Sequence, residues 1–94
     1  MDDIFIEISA MKSKASQLQE LSRRISCVVN NLNSARFQLA DVWKDESFSE
    51  FDYEFFREIN SLLDFKANVD SMAEICNHAC NEYQTADNNI LSLI

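Results

Sequence analysis

Glycine and proline are both missing from this 94-residue chain. Their absence removes the residues that most often build tight turns, bulges and loops. A sandwich or barrel needs many such turns, whereas two long helices need one connection. Cysteine is scarce: Cys27, Cys76 and Cys80 are an odd number and too few for a disulfide framework. Basic residues are also few, 8 against 16 acidic ones, giving a net charge of −8. A nucleic-acid binder draws its affinity largely from Lys and Arg on phosphates, so this balance argues against one. It argues equally against docking on an anionic membrane surface.

No apolar run approaches the roughly 20 residues of a membrane span. The opening Met1-Asp-Asp is acidic, unlike a secretory leader with its basic start. Export, if it occurs, is then expected by a route that removes no leader. Catalytic constellations are missing as well. There is one histidine, no glycine-rich phosphate loop and no nucleophile with a matched base. A two-helix hairpin also offers no cleft of ligand size. No enzyme activity and no cofactor are expected.

What is present is a long helical pattern, interrupted once at Asp41-Val-Trp-Lys-Asp-Glu-Ser-Phe-Ser-Glu-Phe51, which holds the single tryptophan, Trp43. Before this stretch, one register of alternating four- and three-residue steps runs 4, 8, 11, 15, 18, 22, 25, 29, 32, 36, 39, 43. All of these positions are apolar except Ser22 and Arg36. After it, the register 48, 52, 55, 59, 62, 66, 69, 73, 76, 80, 83, 87, 90, 94 is apolar except at Asp52, Lys66 and Asp87. This spacing belongs to helices packed side by side at a shallow angle. The sequence therefore predicts an all-α fold: an antiparallel helix-turn-helix hairpin in a single domain. Helix one is expected over about 9–41, the bend over about 42–47 and helix two over about 48–90.

The opening run Asp3-Ile-Phe-Ile-Glu-Ile8 alternates like a strand but is too short and isolated for a sheet. It reads either as an extended lead-in capped by Ser9 or as the first turn of helix one capped by Asp3. Helix two has a clearer start. Ser47-Phe-Ser-Glu50 fits a capping box, with Ser47 as the cap and Glu50 reaching back.

Leu21, Val28, Ala35 and Val42 widen the apolar stripe of helix one. Phe51, Phe56, Leu63, Phe65, Met72 and Ala79 widen that of helix two. One antiparallel neighbour cannot cover so wide a stripe, and a long exposed apolar strip marks an interaction surface. A second hairpin, completing a four-helix bundle, is the economical cover. The simpler alternative is a two-helix seam whose edges are shielded by Lys and Glu stems. Ser22, Arg36, Asp52 and Lys66 interrupt the seam. Either they fix register or select a mate, or they mark places where the helix turns toward solvent.

Cys76, His78 and Cys80 suggest zinc at first sight. His78, however, lies about 200° of helical rotation from Cys76, and no fourth ligand is evident. No metal site is expected. Trp43 reads as an apolar plug at the end of the bundle, its indole N–H reaching a bend carbonyl. Phe48, Phe51, Tyr53, Phe55 and Phe56 crowd one short stretch, and they cannot all face inward on one helix. Tyr53 and Phe56 are candidates for partner contact.

As a whole the chain resembles the WXG superfamily, the small helical hairpins of type VII secretion systems. The resemblance rests on length, on two long helices, on Trp43 in the single bend and on Tyr83-Gln-Thr-Ala-Asp87, a Tyr-x-x-x-Asp near the C-terminus. The entry Ile6-Glu-Ile-Ser-Ala-Met-Lys-Ser-Lys-Ala15 is also similar to the family's first helix. The signature departs from Trp-x-Gly, reading Trp43-Lys44-Asp45. Glycine allows positive φ in a bend, and Asp is one of the few other residues that tolerates that region. The turn is expected to survive at some conformational cost.

The resemblance implies a small secretion substrate or targeting partner. Such a protein is a homodimer, or a heterodimer with another helical hairpin or with the N-terminal region of an LXG toxin. It is cytoplasmic before export by the leaderless type VII route. Trp43, Asp45, Phe48, Phe51 and Phe56 would then serve binding, and Tyr83 with Asp87 the export signal read by the secretion ATPase. The departure at the bend also brings in related small proteins that escort LXG toxins. A coiled-coil adaptor with no export role is a further reading, and three free cysteines suit a reducing interior.

Overall fold

In the computed structural model, residues 2–93 are described, with side chains described over 5–89. Two helices make up the described chain, α1 (Asp2–Val42) and α2 (Phe48–Leu93). With no proline to remove a backbone donor and no glycine to loosen the backbone, neither helix is interrupted. The alternating opening is helical, not an extended lead-in: residues 3–8 belong to α1. An isolated strand would leave its backbone groups unpaired, whereas the helix satisfies them within the segment. The seam positions Ile4, Ile90 and Ile94 lie outside the residues whose side chains are described.

The chain groups into two compact units, each drawing on both helices. The terminal unit takes α1 up to Leu21 and α2 from Val69 onward. Its core consists of Ile8, Ala15, Val69, Ala73 and Cys80, and both Ala15 and Cys80 are wholly buried. Small side chains at the seam let two backbones approach closely, so even a lone pair of helices can exclude water there. Polar bonds also tie the arms. Lys12 Nζ donates to Gln84 Oε1 at 2.8 Å, and the Cys76 thiol donates to the Met11 carbonyl at 3.4 Å. Burial pushes the Cys80 thiol above the usual cysteine range, with the neighbouring Cys76 adding to the shift.

The bend unit, Ser22–Asn68, contains both sides of the connection and is a helical hairpin. Val29 and Ile59 are its buried apolar residues, and Ser22, two turns before Val29, is buried as well. Leu32, Leu39, Phe55 and Leu62 are half-buried on the same seam.

The two apolar registers describe the seam of each unit well. Every described position in them is buried or half-buried, apart from Tyr83, which is 57% exposed. This includes the polar interruptions. Ser22 is buried, and Arg36, Asp52, Lys66 and Asp87 are half-buried. These positions do not turn out to solvent. Arg36 and Asp52 neutralise each other across the hairpin.

Candidate functional site

α1 ends without glycine. Trp43 N–H still donates to the Leu39 carbonyl at 2.8 Å, and Lys44 Nζ reaches the Ala40 carbonyl at 3.3 Å. A cationic side chain on the last carbonyls suits the negative end of a helix. The chain then reverses between Trp43 and Ser47. Among the described residues none has a positive φ, so the bend uses no left-handed residue. Asp45 is not there to tolerate one, and the conformational cost expected for the missing glycine does not arise.

Asp45 instead starts α2. Its Oδ1 accepts the Ser47 N–H at 3.1 Å, and its carbonyl accepts the Phe48 N–H at 3.1 Å. This is N-cap geometry, with the side chain satisfying a donor of the first turn. Ser49 N–H to the Glu46 carbonyl and Phe51 N–H to the Ser47 carbonyl carry the turn into the helix. The cap expected at Ser47 is thus supplied two residues earlier by Asp45, without a reciprocal capping box. The Ser47 N–H, which Glu50 was to accept, goes to Asp45.

Ser47 has a different partner. Its hydroxyl accepts the Trp43 indole N–H at 3.3 Å, where a backbone carbonyl was expected. The indole packs edge-on against Phe48, with ring centroids 5.6 Å apart, and tilts against Phe51 at 5.1 Å. Phe51 continues the stack to Phe55 at 5.5 Å. Pairs of this kind contribute about 0.5–1.5 kcal/mol each beyond the area they bury. Trp43, Phe48, Phe51 and Phe55 are all half-buried, so the bend end is closed by rings that remain partly accessible.

One turn deeper, the Arg36 guanidinium grips Asp52 with two donors. Nε bonds Oδ1, and Nη2 bonds Oδ2 at 2.9 Å. The hydrogen bond from Arg36 holds the Asp52 carboxyl below the usual carboxylate range; partial burial opposes the shift and the nearby positive charge adds to it. The same bond raises Arg36, which is charged in any case. The guanidinium carbon also lies 5.1 Å from the centre of the Phe56 ring, a cation–π distance. Phe56 itself is exposed.

The structure therefore gathers Trp43, Asp45, Phe48 and Phe51 at the bend and sets Phe56 beside the Arg36–Asp52 pair. Tyr83 and Asp87 belong to the terminal unit, one helical turn apart on α2, with Tyr83 exposed and Asp87 half-buried. Tyr53 is exposed as well. His78 does not join the neighbouring Cys76 and Cys80. Cys76 bonds the Met11 carbonyl, Cys80 is buried in the seam, and exposed His78 sits 3.1 Å from Glu82. Among the described residues no cluster of three or more His, Cys, Asp or Glu could hold a metal ion. Among them, too, no helix is long and apolar enough to cross a membrane.

Sequence reasoning missed the Arg36–Asp52 pair and the service of Ser47 to the indole. Both charges had been singled out, each as an interruption of its own seam. The available signal was their opposite sign at seam positions on either side of one short bend.

Comparison with curated proteins and with solved structures returns no significant match. A family profile described as proteins of 100 residues with WXG does match, over residues 3–88. That span takes in both helices, the bend with Trp43 and the Tyr83-x-x-x-Asp87 segment. With nearly the whole chain matched, this hairpin belongs to the WXG100 family, the small helical substrates of type VII secretion.

Proposed function

We propose that the chain is a type VII secretion substrate or targeting partner that works as a pair of hairpins. On pairing, the bend of one hairpin, with Trp43, Asp45, Phe48 and Phe51, joins the Tyr83-x-x-x-Asp87 segment of its mate, and the secretion ATPase reads the two together. The observation that carries this reading is an apolar flank left open on the bend unit. Residues immediately before alternate seam positions share this flank: Val28, Ala35 and Val42 on α1, and Phe51 and Phe65 on α2. Val42 is 76% exposed and Phe65 56%, with only Glu58 interrupting the row. Covering such a strip buries one charged side chain, Glu58, among apolar ones and completes a four-helix bundle.

The mate is a second copy or another hairpin, including the N-terminal region of an LXG toxin. Export follows the leaderless route from the cytoplasm, and the protein's contribution is display, not catalysis. The test is export from a strain carrying the secretion system, read as the protein appearing in the culture medium. Tyr83→Ala and Asp87→Ala should each abolish export while leaving helicity and pairing unchanged. Normal export of both variants would sink the signal, and so would loss of export that merely follows loss of folding.

One observation favours a second reading. Lys44-Asp45 replaces the x-Gly of the signature, and Asp45 has taken on helix capping in its place. A bend rebuilt in this way suits an escort dedicated to one LXG-type toxin. An escort would remain poorly folded until co-expressed with its toxin, whereas a self-pairing substrate folds alone. Folding alone without export would instead leave a coiled-coil adaptor.

A further inference from the structure

The terminal unit carries a flank of the same kind as the one assigned to pairing. Both helices are unbroken, so residues immediately before alternate seam positions fall on one side of each at seven-residue steps. In the terminal unit these are Glu7, Lys14 and Leu21 on α1, and Met72, Ala79 and Ala86 on α2. Leu21 is 48% exposed and Met72 55%. In the bend unit they are Val28, Ala35 and Val42, with Phe51, Glu58 and Phe65. Glu58 is the one charge of the bend flank, and Lys14 the one cation of the terminal flank.

The bonds across each unit fix its own levels. In the bend unit Arg36 faces Asp52, so Glu58, further along α2, comes level with about position 30 of α1, beside Val28. In the terminal unit Cys76 faces Met11, so Lys14 comes level with about position 73 of α2, beside Met72. The bend flank thus forms successive rows: Val42, then Ala35 with Phe51, then Val28 with Glu58, then Phe65. The terminal flank forms Ala86, then Glu7 with Ala79, then Lys14 with Met72, then Leu21. Glu58 and Lys14 are both exposed, and the Lys14 ammonium donates to Gln17 Oε1 at 3.4 Å.

We infer that the mate is a second copy lying head to tail, its terminal flank on this bend flank, with Lys14 of each copy in the same layer as Glu58 of the other. This rests on the pairing reading and gives it a register. Laid row on row, Val42 meets Ala86, Ala35 and Phe51 meet Glu7 and Ala79, and Phe65 meets Leu21. A slip of one row brings Glu58 to Glu7 or to Leu21. Copies aligned the same way set bend flank on bend flank, which holds no cation for Glu58. The two-fold pair makes the contact twice. Matched charges inside a bundle add little net stability, but they penalise a wrong register or a wrong mate strongly.

The experiment measures pairing of the full chain by sedimentation over a concentration series, with helicity checked by circular dichroism. Glu58→Lys and Lys14→Glu each put like charges in the shared layer. Each variant alone should therefore self-pair at least about tenfold more weakly than the native chain. Mixed in equal amounts, the two variants should pair with each other about as tightly as native copies do, because every layer again holds opposite charges. The chain carrying both substitutions should recover self-pairing for the same reason. These rescues separate lost complementarity from lost folding. Single variants that pair as tightly as the native chain, or rescues that fail, would overturn this inference and leave the pairing reading standing. A native chain that stays single at every concentration would overturn both.

Discussion

The bend unit and the terminal unit close the same kind of two-helix seam by different means. The bend unit uses bulk and charge: Trp43, Phe48, Phe51 and Phe55 stack at its end, and Arg36 and Asp52 clasp each other across it. The terminal unit relies more on small side chains, burying Ala15, Ala73 and Cys80 together with Ile8 and Val69. The difference teaches that the seam pattern sets only which face is inward. Side-chain size then sets how the two arms meet. Rings and an ion pair tolerate some looseness, because each has an exposed edge. Small buried residues tolerate none.

The largest expected effect comes from emptying the bend unit's core. Ile59→Ala should destabilise the fold by about 2–5 kcal/mol in urea unfolding, the usual range for deleting a buried branched side chain. The terminal unit should instead be most sensitive to added bulk. Ala15→Leu should cost about 1–3 kcal/mol through overpacking, while the same change at exposed Ala10 should be nearly neutral. A neutral Ala15→Leu would mean that the small residues do not set the approach of the arms.

Acid should act on the bend unit through Asp52. Its folded-state pKa lies below the unfolded value, so its stabilising pairing is fully present above the ordinary aspartate range, near 4. It is lost as pH falls through the depressed value. The stability advantage of the native chain over Asp52→Asn should therefore hold at neutral pH and shrink below about pH 4. A constant difference across that window would contradict the pairing.

Thiol chemistry sharpens the contrast at little energetic cost. Exposed Cys27 in the bend unit should react with a thiol reagent at once. Cys80, buried and with its thiol pushed up, should react only as the seam opens. The smallest effect belongs to Ser47→Ala, which removes the acceptor of the indole at an exposed site. A loss of no more than about 1 kcal/mol is expected.

The seam was legible in the sequence because helical phase is a local property. Each arm's inward positions follow from its own spacing, and even Ser22 and Lys66 obeyed it. The pairing of Arg36 with Asp52 was not legible. Phase does not fix the axial stagger between arms, and that stagger depends on how many residues the bend consumes. The cap was misplaced for a related reason. Asp45 and Ser47 are both good caps, and Ser47 looked better because Glu50 follows at capping-box distance. What decided between them was Trp43, whose indole engages the Ser47 hydroxyl and so favours capping from Asp45. The lead-in at 3–8 was ambiguous because Ile4 and Ile8 fit a helix while Ile4, Ile6 and Ile8 fit a strand. Without a neighbouring strand, the helix prevails.

Light scattering on the purified chain over a range of concentrations tests the central claim most directly, with thermal unfolding recorded on the same samples. The open flank of Val28, Val42 and Phe65 predicts a mass twice the 10.9 kDa of one chain, falling to a single chain in Phe65→Glu. A 10.9 kDa particle at every concentration that still unfolds cooperatively would contradict the account, because the flank would then need no cover.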